Sequence, residues 1–404
     1  MKGHFLKKDK THELRKRFLI TLLILAVYMA GRSILLYDID PAVHRLEELD
    51  SQNIMLSMIS GDRYQYTLFA LGIMPYITAT LIMWIFMAIK GEEFRSRFSP
   101  QKTERFTLIL MTAIAVAYAV SRADTLIFKE SEFSTEVLKA IAVLEMTVGA
   151  VIIHKMANAN KEFGIGGQMP IILVNISDNL VSTILKFTWG DLFKPLILCI
   201  IMAAVILIME NRILHIPVQR VSIHNVYADK NYIPLKLDPI GVMPVMFAVT
   251  FFSLPKLIVG FLLSIWEDSS TLQLVYGKLN LTNSMGVGIY LGIIFWLNIL
   301  FVFIMLMPGQ MAKQLQKGGD SIVGIYAGKR TKKYLRKKVL GLSIFSGCVL
   351  CLLMGISLGL SLRGEISPEL ALFPATAMIL AGISCNLYRE VRSYWKYDSY
   401  SFFI

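Results

Sequence analysis

Ten blocks of about twenty apolar residues divide this chain, each the length a helix needs to cross a hydrocarbon core about 30 Å thick. They fall at residues 18–37, 66–89, 105–121, 137–156, 169–187, 191–210, 240–264, 286–307, 339–360 and 370–388. Charged residues make up 17% of the 404, against roughly a quarter in a soluble domain. In lipid every backbone amide and carbonyl needs a partner within the protein, so such blocks fold as helices. The expected class is an all-α polytopic membrane protein. The first block follows seven Lys/Arg in residues 1–17, as a signal peptide would. It lacks a small-residue cleavage site and nine spans follow, so it is read as a retained helix.

Lysine and arginine fix the expected topology. The connections 1–17, 90–105, 155–168, 211–238, 308–338 and 389–404 hold 30 of the 41 Lys/Arg. The alternate connections are short or acidic, as with Asp38, Asp40, Glu47, Glu48 and Asp50 ahead of the second span. Both termini are therefore expected in the cytoplasm. The net charge of +12 follows from that topology and from contact with anionic lipid, and no nucleic-acid partner is implied.

The residues offer little chemistry. Cys199, Cys348, Cys351 and Cys385 all lie inside apolar blocks, so no disulfide framework is expected. His4, His12, His44, His154, His215 and His224 show no metal-ligand spacing, and no metal or cofactor is expected. "GIYAGKRT", residues 324–331, has three residues between its glycines and Arg330 after its lysine, so it is not a phosphate loop.

Two spans carry an apparent fault. "LFALGIMPYITATLIMWIF", residues 68–86, contains Gly72-Ile73-Met74-Pro75, and glycine and proline both weaken a helix. Gly-x-Met-Pro recurs 169 residues later as Gly241-Val242-Met243-Pro244. These are the second spans of two five-span halves, residues 1–187 and 188–404. An odd span count per half inverts one half relative to the other, and interrupted helices at matching places point to a transport path. Polar residues at depth are few. Asn175, Asp178 and Asn179 form one stripe, open to two readings: a hydrogen-bonded helix contact or a wet lining. Glu145 and Asn298 read as packing contacts, while Arg32 and Lys256 lie near span edges and can snorkel. The loop 308–338 ends in "GKRTKKYLRKK" and exceeds what a connection needs, so with 211–238 it reads as a docking platform or as topology-setting charge.

"LFALGIMPYITATLIMWIF", "HIPVQ…YIPLKLDPIGVMPVMFA" and "MPGQMAKQLQKGG…GIYAGKRTKKYL" together resemble the SecY family, the channel subunit of the protein translocase. The resemblance runs in order from span 1 to span 10. It implies a passive polypeptide-conducting pore with no enzymatic activity, driven by a separate SecA-type ATPase. The implied partners are small SecE/SecG-like subunits, an unfolded preprotein and membrane lipid, in a bacterial plasma membrane. It also implies a plug at residues 51–62, with Ile54, Met55, Leu56, Met58 and Ile59 as its apolar residues. It places Ile77, Leu81, Leu173, Met246 and Ile258 in an apolar pore ring. Spans 2–3 and 7–8 would form a lateral gate, with Gly72, Pro75, Gly241 and Pro244 as helix breaks along it. Tyr326, Lys329, Arg330, Lys332 and Lys333 would meet the motor. Departures from the housekeeping pattern occur at Gly166-Gly167-Gln168-Met169-Pro170, Leu214-His215, Met307-Pro308 and Tyr326-Ala327. They are similar to those of the accessory SecY branch of Gram-positive bacteria, which works with an accessory SecA to export serine-rich glycosylated adhesins.

From the residues alone, a channel and an ion-coupled secondary transporter using Asp178 stand as near-equal alternatives. An intramembrane enzyme lacks any Ser/His, Asp/Asp or metal constellation.

Overall fold

The computed structural model describes residues 13–39, 66–91, 99–124, 126–129, 134–220, 231–265 and 270–400. Its helices, in chain order, are α1 Glu13–Gly31, α2 Met74–Lys90, α3 Pro100–Ala123, α4 Thr135–Phe163, α5 Met169–Lys186, α6 Trp189–Asn211, α7 Met243–Ile265, α8 Ser270–Lys278, α9 Ser284–Leu306, α10 Pro308–Lys317, α11 Lys329–Leu362, α12 Pro368–Ala371 and α13 Phe373–Tyr400. The ten long ones among the described residues stand where the ten apolar blocks predict. The plug residues 51–62 lie outside the described residues.

The largest shift concerns the Gly-x-Met-Pro motifs, expected as faults within helices. Residues 66–73 form turns, and α2 begins at Met74, so Gly72 and Pro75 belong to its start. Gly241 and Pro244 start α7 in the same way. A third copy, Gly167-Gln168-Met169-Pro170, starts α5 and is missed by pairing only two. In all three the glycine has positive φ, at 52°, 55° and 69°, a conformation that only glycine adopts freely. The next residue's carbonyl accepts the amide four positions on: Ile73 from Ile77 at 3.1 Å, Gln168 from Ile172 at 3.3 Å, Val242 from Met246 at 3.3 Å. Proline then occupies the second helical position, where its missing N–H goes unneeded. The motif turns the chain and launches a helix.

A second correction concerns the two long basic loops, which are not irregular. Strands β1 Ile213–Arg220, β2 Tyr232–Lys236 and β3 Asp320–Ile322 make one antiparallel sheet in the order β2-β1-β3. Ile213 pairs with Lys236 and Val218 with Ile322, so residues from both loops share a sheet. Ile216, Leu235, Ala312, Ile322 and Leu335 form a small core beneath it, joining the sheet to α10 and α11. α11 itself begins at Lys329, ten residues before the apolar block it carries. Lysine and arginine are good helix formers, and the helix runs out through them.

The main core draws Tyr28, Ile77, Leu81 and Ile171 from the first half and Met202, Val245, Tyr290, Leu350 and Met378 from the second. Between helices in lipid, close packing rather than water exclusion holds such residues together. Many α1 and α6 side chains remain exposed, among them Leu22, Leu23, Ile200 and Ile208, as lipid-facing surfaces require.

Candidate functional site

α2 and α7 bring the two halves into contact. At one end Thr250 Oγ1 donates weakly to Met74 Sδ at 3.8 Å. At the other, Trp84 of α2 meets Phe247 of α7, ring centroids 5.6 Å apart, and Phe301 of α9 edge-on at 5.5 Å. Phe247 and Phe301 close the triangle at 5.1 Å. Phe247 and Phe301 are buried and Trp84 is half-buried.

The candidate ring residues divide. Ile77, Leu81 and Met246 are all buried in the one core cluster, and Leu173 of α5 is half-buried and packs against it. Ile258 does not join them. It lies twelve residues beyond Met246, about 18 Å along α7 at 1.5 Å per residue, and is 60% exposed.

The polar stripe on α5 faces α1. Tyr28 Oη donates to Asn175 Oδ1 at 2.8 Å, and Arg32 is paired with Asp178 at 2.9 Å. Arg32 is thus buried and engaged rather than snorkelling. Of the two readings of this stripe, the helix contact describes Asn175 and Asp178. Glu145 accepts the Tyr37 amide, and Asn298 donates to Ser343 O and Ser346 Oγ, both as packing contacts.

At the basic end of the bundle two acids flank the start of α7. Asp238 Oδ1 accepts the Gly241 N–H at 3.0 Å, while Glu210 is paired with Arg389 of α13 at 3.2 Å. Glycine is favoured at position 241 by its φ of 69°, and a Cβ there would come within 2.6 Å of Glu210 Oε1, so that carboxylate would have to shift. Burial above all, with the nearby Glu210 charge adding to it, pushes the Asp238 carboxyl up to about 7 against the Gly241 hydrogen bond. Neither acid stood out in the sequence, since both look like ordinary span-edge charges.

Tyr326 projects into solvent at 79% exposed. Lys329, Arg330, Lys332 and Lys333 follow in the first turns of α11, with Thr331 Oγ1 donating to Tyr326 O at 2.9 Å. Among the described residues no cluster of three His, Cys, Asp or Glu is placed to hold a metal ion.

A family profile described as SecY matches residues 67–388. The chain belongs to the SecY family. The chain is 25% identical to the accessory Sec system protein translocase subunit SecY2 of Leuconostoc gelidum subsp. gasicomitatum, covering 99% of each. It is 28% identical to the subunit of the same description from Streptococcus parasanguinis, covering 94% of this chain and 95% of that one. The fold matches a solved protein-conducting channel with a TM-score of 0.65 at 17% identity, covering 95% of this chain and 93% of that one. It also matches Sec61 in the canine ribosome-channel complex, with a TM-score of 0.60 at 16% identity and the same coverage. As a SecY-family protein, the chain is a multi-pass membrane channel subunit for polypeptides and not an enzyme.

Proposed function

We propose that this SecY-family chain is the pore of an accessory Sec translocase in a bacterial plasma membrane, with both termini in the cytoplasm. The observation that carries the reading is agreement over nearly the whole chain with relatives described as accessory SecY2. A separate SecA-type ATPase pushes the preprotein, small SecE/SecG-like subunits support the bundle, and the cargo is a serine-rich glycosylated surface protein.

In this reading Ile77, Leu81, Met246 and Leu173 line the constriction, because three are buried in one cluster and the fourth packs on it. Branched and flexible apolar side chains pack around a passing chain without binding it and keep the seal dry. Ile258 is left out, being a long way down α7 and exposed. Residues 51–62 act as the plug. The sheet β2-β1-β3 with α10 and the start of α11 receives the motor, since they are joined by one small core.

Co-purification from native membranes tests the partners. Recovery of an accessory SecA supports the reading, and recovery of only the general secretory ATPase returns the chain to a housekeeping role. The transporter alternative needs Asp178 available at midplane, yet that carboxylate is engaged by Arg32. Asp178→Asn is therefore expected to reduce transport mildly; its abolition would favour ion coupling.

A further inference from the structure

We propose that Glu210 and Asp238 hold one proton between them at the basic end of the bundle, and that its loss unfastens the start of α7 and so loosens the channel's seal as pH rises. The proton site stands on contacts alone; its effect on the seal rests on the channel reading above.

Two carboxylates meet at one glycine. Asp238 Oδ1 accepts the Gly241 N–H at 3.0 Å, and Glu210 Oε1 stands 2.6 Å from where a Cβ on Gly241 would lie. Each acid has one oxygen engaged and one not. Glu210 Oε2 accepts from Arg389 Nη1 at 3.2 Å, whereas Glu210 Oε1 and Asp238 Oδ2 are buried with no hydrogen-bond partner among the described residues. Arg389 divides its remaining terminal nitrogen between Glu210 O at 2.6 Å and Asn211 Oδ1 at 3.1 Å. Lys236, at the end of β2, attracts both acids without forming an ion pair to either among the described residues. The Cys385 thiol of α13 lies beside Glu210 and is at most a weak donor.

The charges at this site do not balance. Glu210 is 2% exposed and Asp238 1%, so two ionised carboxylates would share one paired guanidinium out of reach of water. A like-charged pair buried together keeps one proton. That proton removes the surplus charge and turns one of the two orphan oxygens into a donor. A metal cation would overfill the site, and Arg389, Lys236 and the positive end of the α7 dipole all oppose it. The Asp238 carboxyl is raised to about 7, by burial first and by the Glu210 charge next, against the Gly241 hydrogen bond.

The proton fastens the first turn of α7. With Asp238 in place the Gly241 N–H is held, and the next residue's carbonyl, Val242 O, accepts the Met246 N–H at 3.3 Å. Val242 is wedged against α13, where a Cβ on Gly382 would come within 2.6 Å of Val242 Cγ2. Met246 is buried with Ile77 and Leu81 at the candidate constriction. Two charges in this space drive Asp238 toward water, and the loosened turn carries Met246 with it. Anchored, the Asp238 carboxyl titrates near 7; released into water, it titrates near the ordinary value of about 4. The anchored state therefore binds the extra proton between pH 4 and 7. Release grows about ten-fold per pH unit across that window and levels off above it. From pH 5.5 to 8 the released-to-anchored ratio is expected to rise about thirty-fold.

Infrared difference spectra of the reconstituted wild type, taken between pH 5.5 and 8, test the proton itself. A protonated-carboxyl band is expected to disappear with a midpoint near 7. The band is expected to be absent in Asp238→Asn, and its midpoint to fall by about one pH unit in Glu210→Gln, which removes the neighbouring charge. No titrating band, or one that survives Asp238→Asn unchanged, overturns the site. A midpoint unmoved in Glu210→Gln overturns the sharing.

Resting ion leak in planar bilayers, with the pH set equal on both sides, tests the consequence. Wild-type leak is expected to rise roughly three-fold or more from pH 5.5 to 8. Asp238→Asn keeps a neutral acceptor for the Gly241 N–H and is expected to hold the low value at both. Asp238→Ala removes the acceptor and is expected to hold the high value at both. Equal wild-type leak at the two pH values overturns the link to the seal. If Asp238→Ala fails to fold, Glu210→Gln decides, its leak expected to level off about one pH unit lower than that of the wild type. If neither the wild type nor Asp238→Ala conducts at either pH, the channel reading fails, and the infrared result alone then judges the proton site.

Discussion

Ile77 and Leu81 lie one turn apart on α2, at 2% and 0% exposure, with the bulk of their contacts inside the shared core. If they line the constriction, a stalled polypeptide passes within van der Waals reach of both. Ile77→Cys and Leu81→Cys are then expected to crosslink to a cysteine in the stalled chain. Ile85→Cys, about 12 Å from position 77 along the helix axis, is expected to do so less. Crosslinks confined to lipid-facing positions would remove α2 from the pore. Asp238 supports a second prediction at this scale. Its carboxyl is 1% exposed and raised to about 7, from an ordinary carboxylate value near 4. Because the folded value is the higher, the folded state binds the extra proton between pH 4 and 7. Its stability contribution therefore falls across that window as pH rises and is flat above it. Between pH 5.5 and 8 the wild type is expected to lose on the order of 2 kcal/mol from this group. Asp238→Asn, which keeps an acceptor for the Gly241 amide, is expected to lose much less. Thermal unfolding at the two pH values compares them, and equal losses would mean that the carboxyl is already ionised.

At the scale of elements, the apolar blocks were legible because bilayer thickness dictates their length, and every long helix follows one. What the sequence concealed was where order begins. Gly72-Ile73-Met74-Pro75 looks like damage to a helix when the apolar run is read as continuous from residue 66. The left-handed glycine and second-position proline make it a start. The third copy at Gly167 opens the fifth span, outside the pair of second spans that inverted symmetry relates, so that symmetry gives no signal for it. The sheet was hidden for another reason: β1 and β3 are about a hundred residues apart, and neither strand has a hydrophobic face large enough to announce itself. The basic run of α11 likewise reads as loop because charge, not apolar periodicity, dominates it. Its helical state sharpens a prediction. Four cations crowd a helix N-terminus, where the backbone dipole is already positive, so the end is primed for an acidic partner surface. Changing Lys329, Arg330, Lys332 and Lys333 to Glu is expected to weaken motor binding at least ten-fold at low salt. The same change at Lys7, Lys8 and Lys10 is expected to have a smaller effect. Glutamate favours a helix N-terminus, so lost binding would not reflect lost helix. Equal losses at the two sites would leave the charge with a topological role only.

Among the described residues, contacts of two different chemistries join the halves. The α2–α7 contact is apolar and aromatic. The other is a set of charged and backbone hydrogen bonds at the basic end, organised by α13. Its neighbouring residues reach in opposite directions. Arg389 pairs with Glu210 of α6 and also donates to the Glu210 carbonyl at 2.6 Å, within the second half. Glu390 accepts the Gly166 amide on both oxygens at 3.1 Å, in the α4–α5 turn of the first half. That turn is itself held: Asn160 Nδ2 donates to Ile165 O and Gly167 O, and Arg17 Nη1 donates to Gly164 O. α13 thus straps one half to the other. Two substitutions separate its roles. Arg389→Met leaves Glu210, which is 2% exposed, buried without its cation and is expected to cost about 3 kcal/mol in thermal unfolding. Glu390→Gln exchanges a charge-assisted hydrogen bond at a half-exposed site for a neutral one and is expected to cost about 1 kcal/mol. Hydrogen exchange reports the strap itself. The Gly166 amide is expected to exchange faster in Glu390→Gln and to be little changed in Arg389→Met when both are compared under conditions of equal global stability. Faster exchange in both variants alike would mean that α13 holds the bundle as a whole and not the first half in particular.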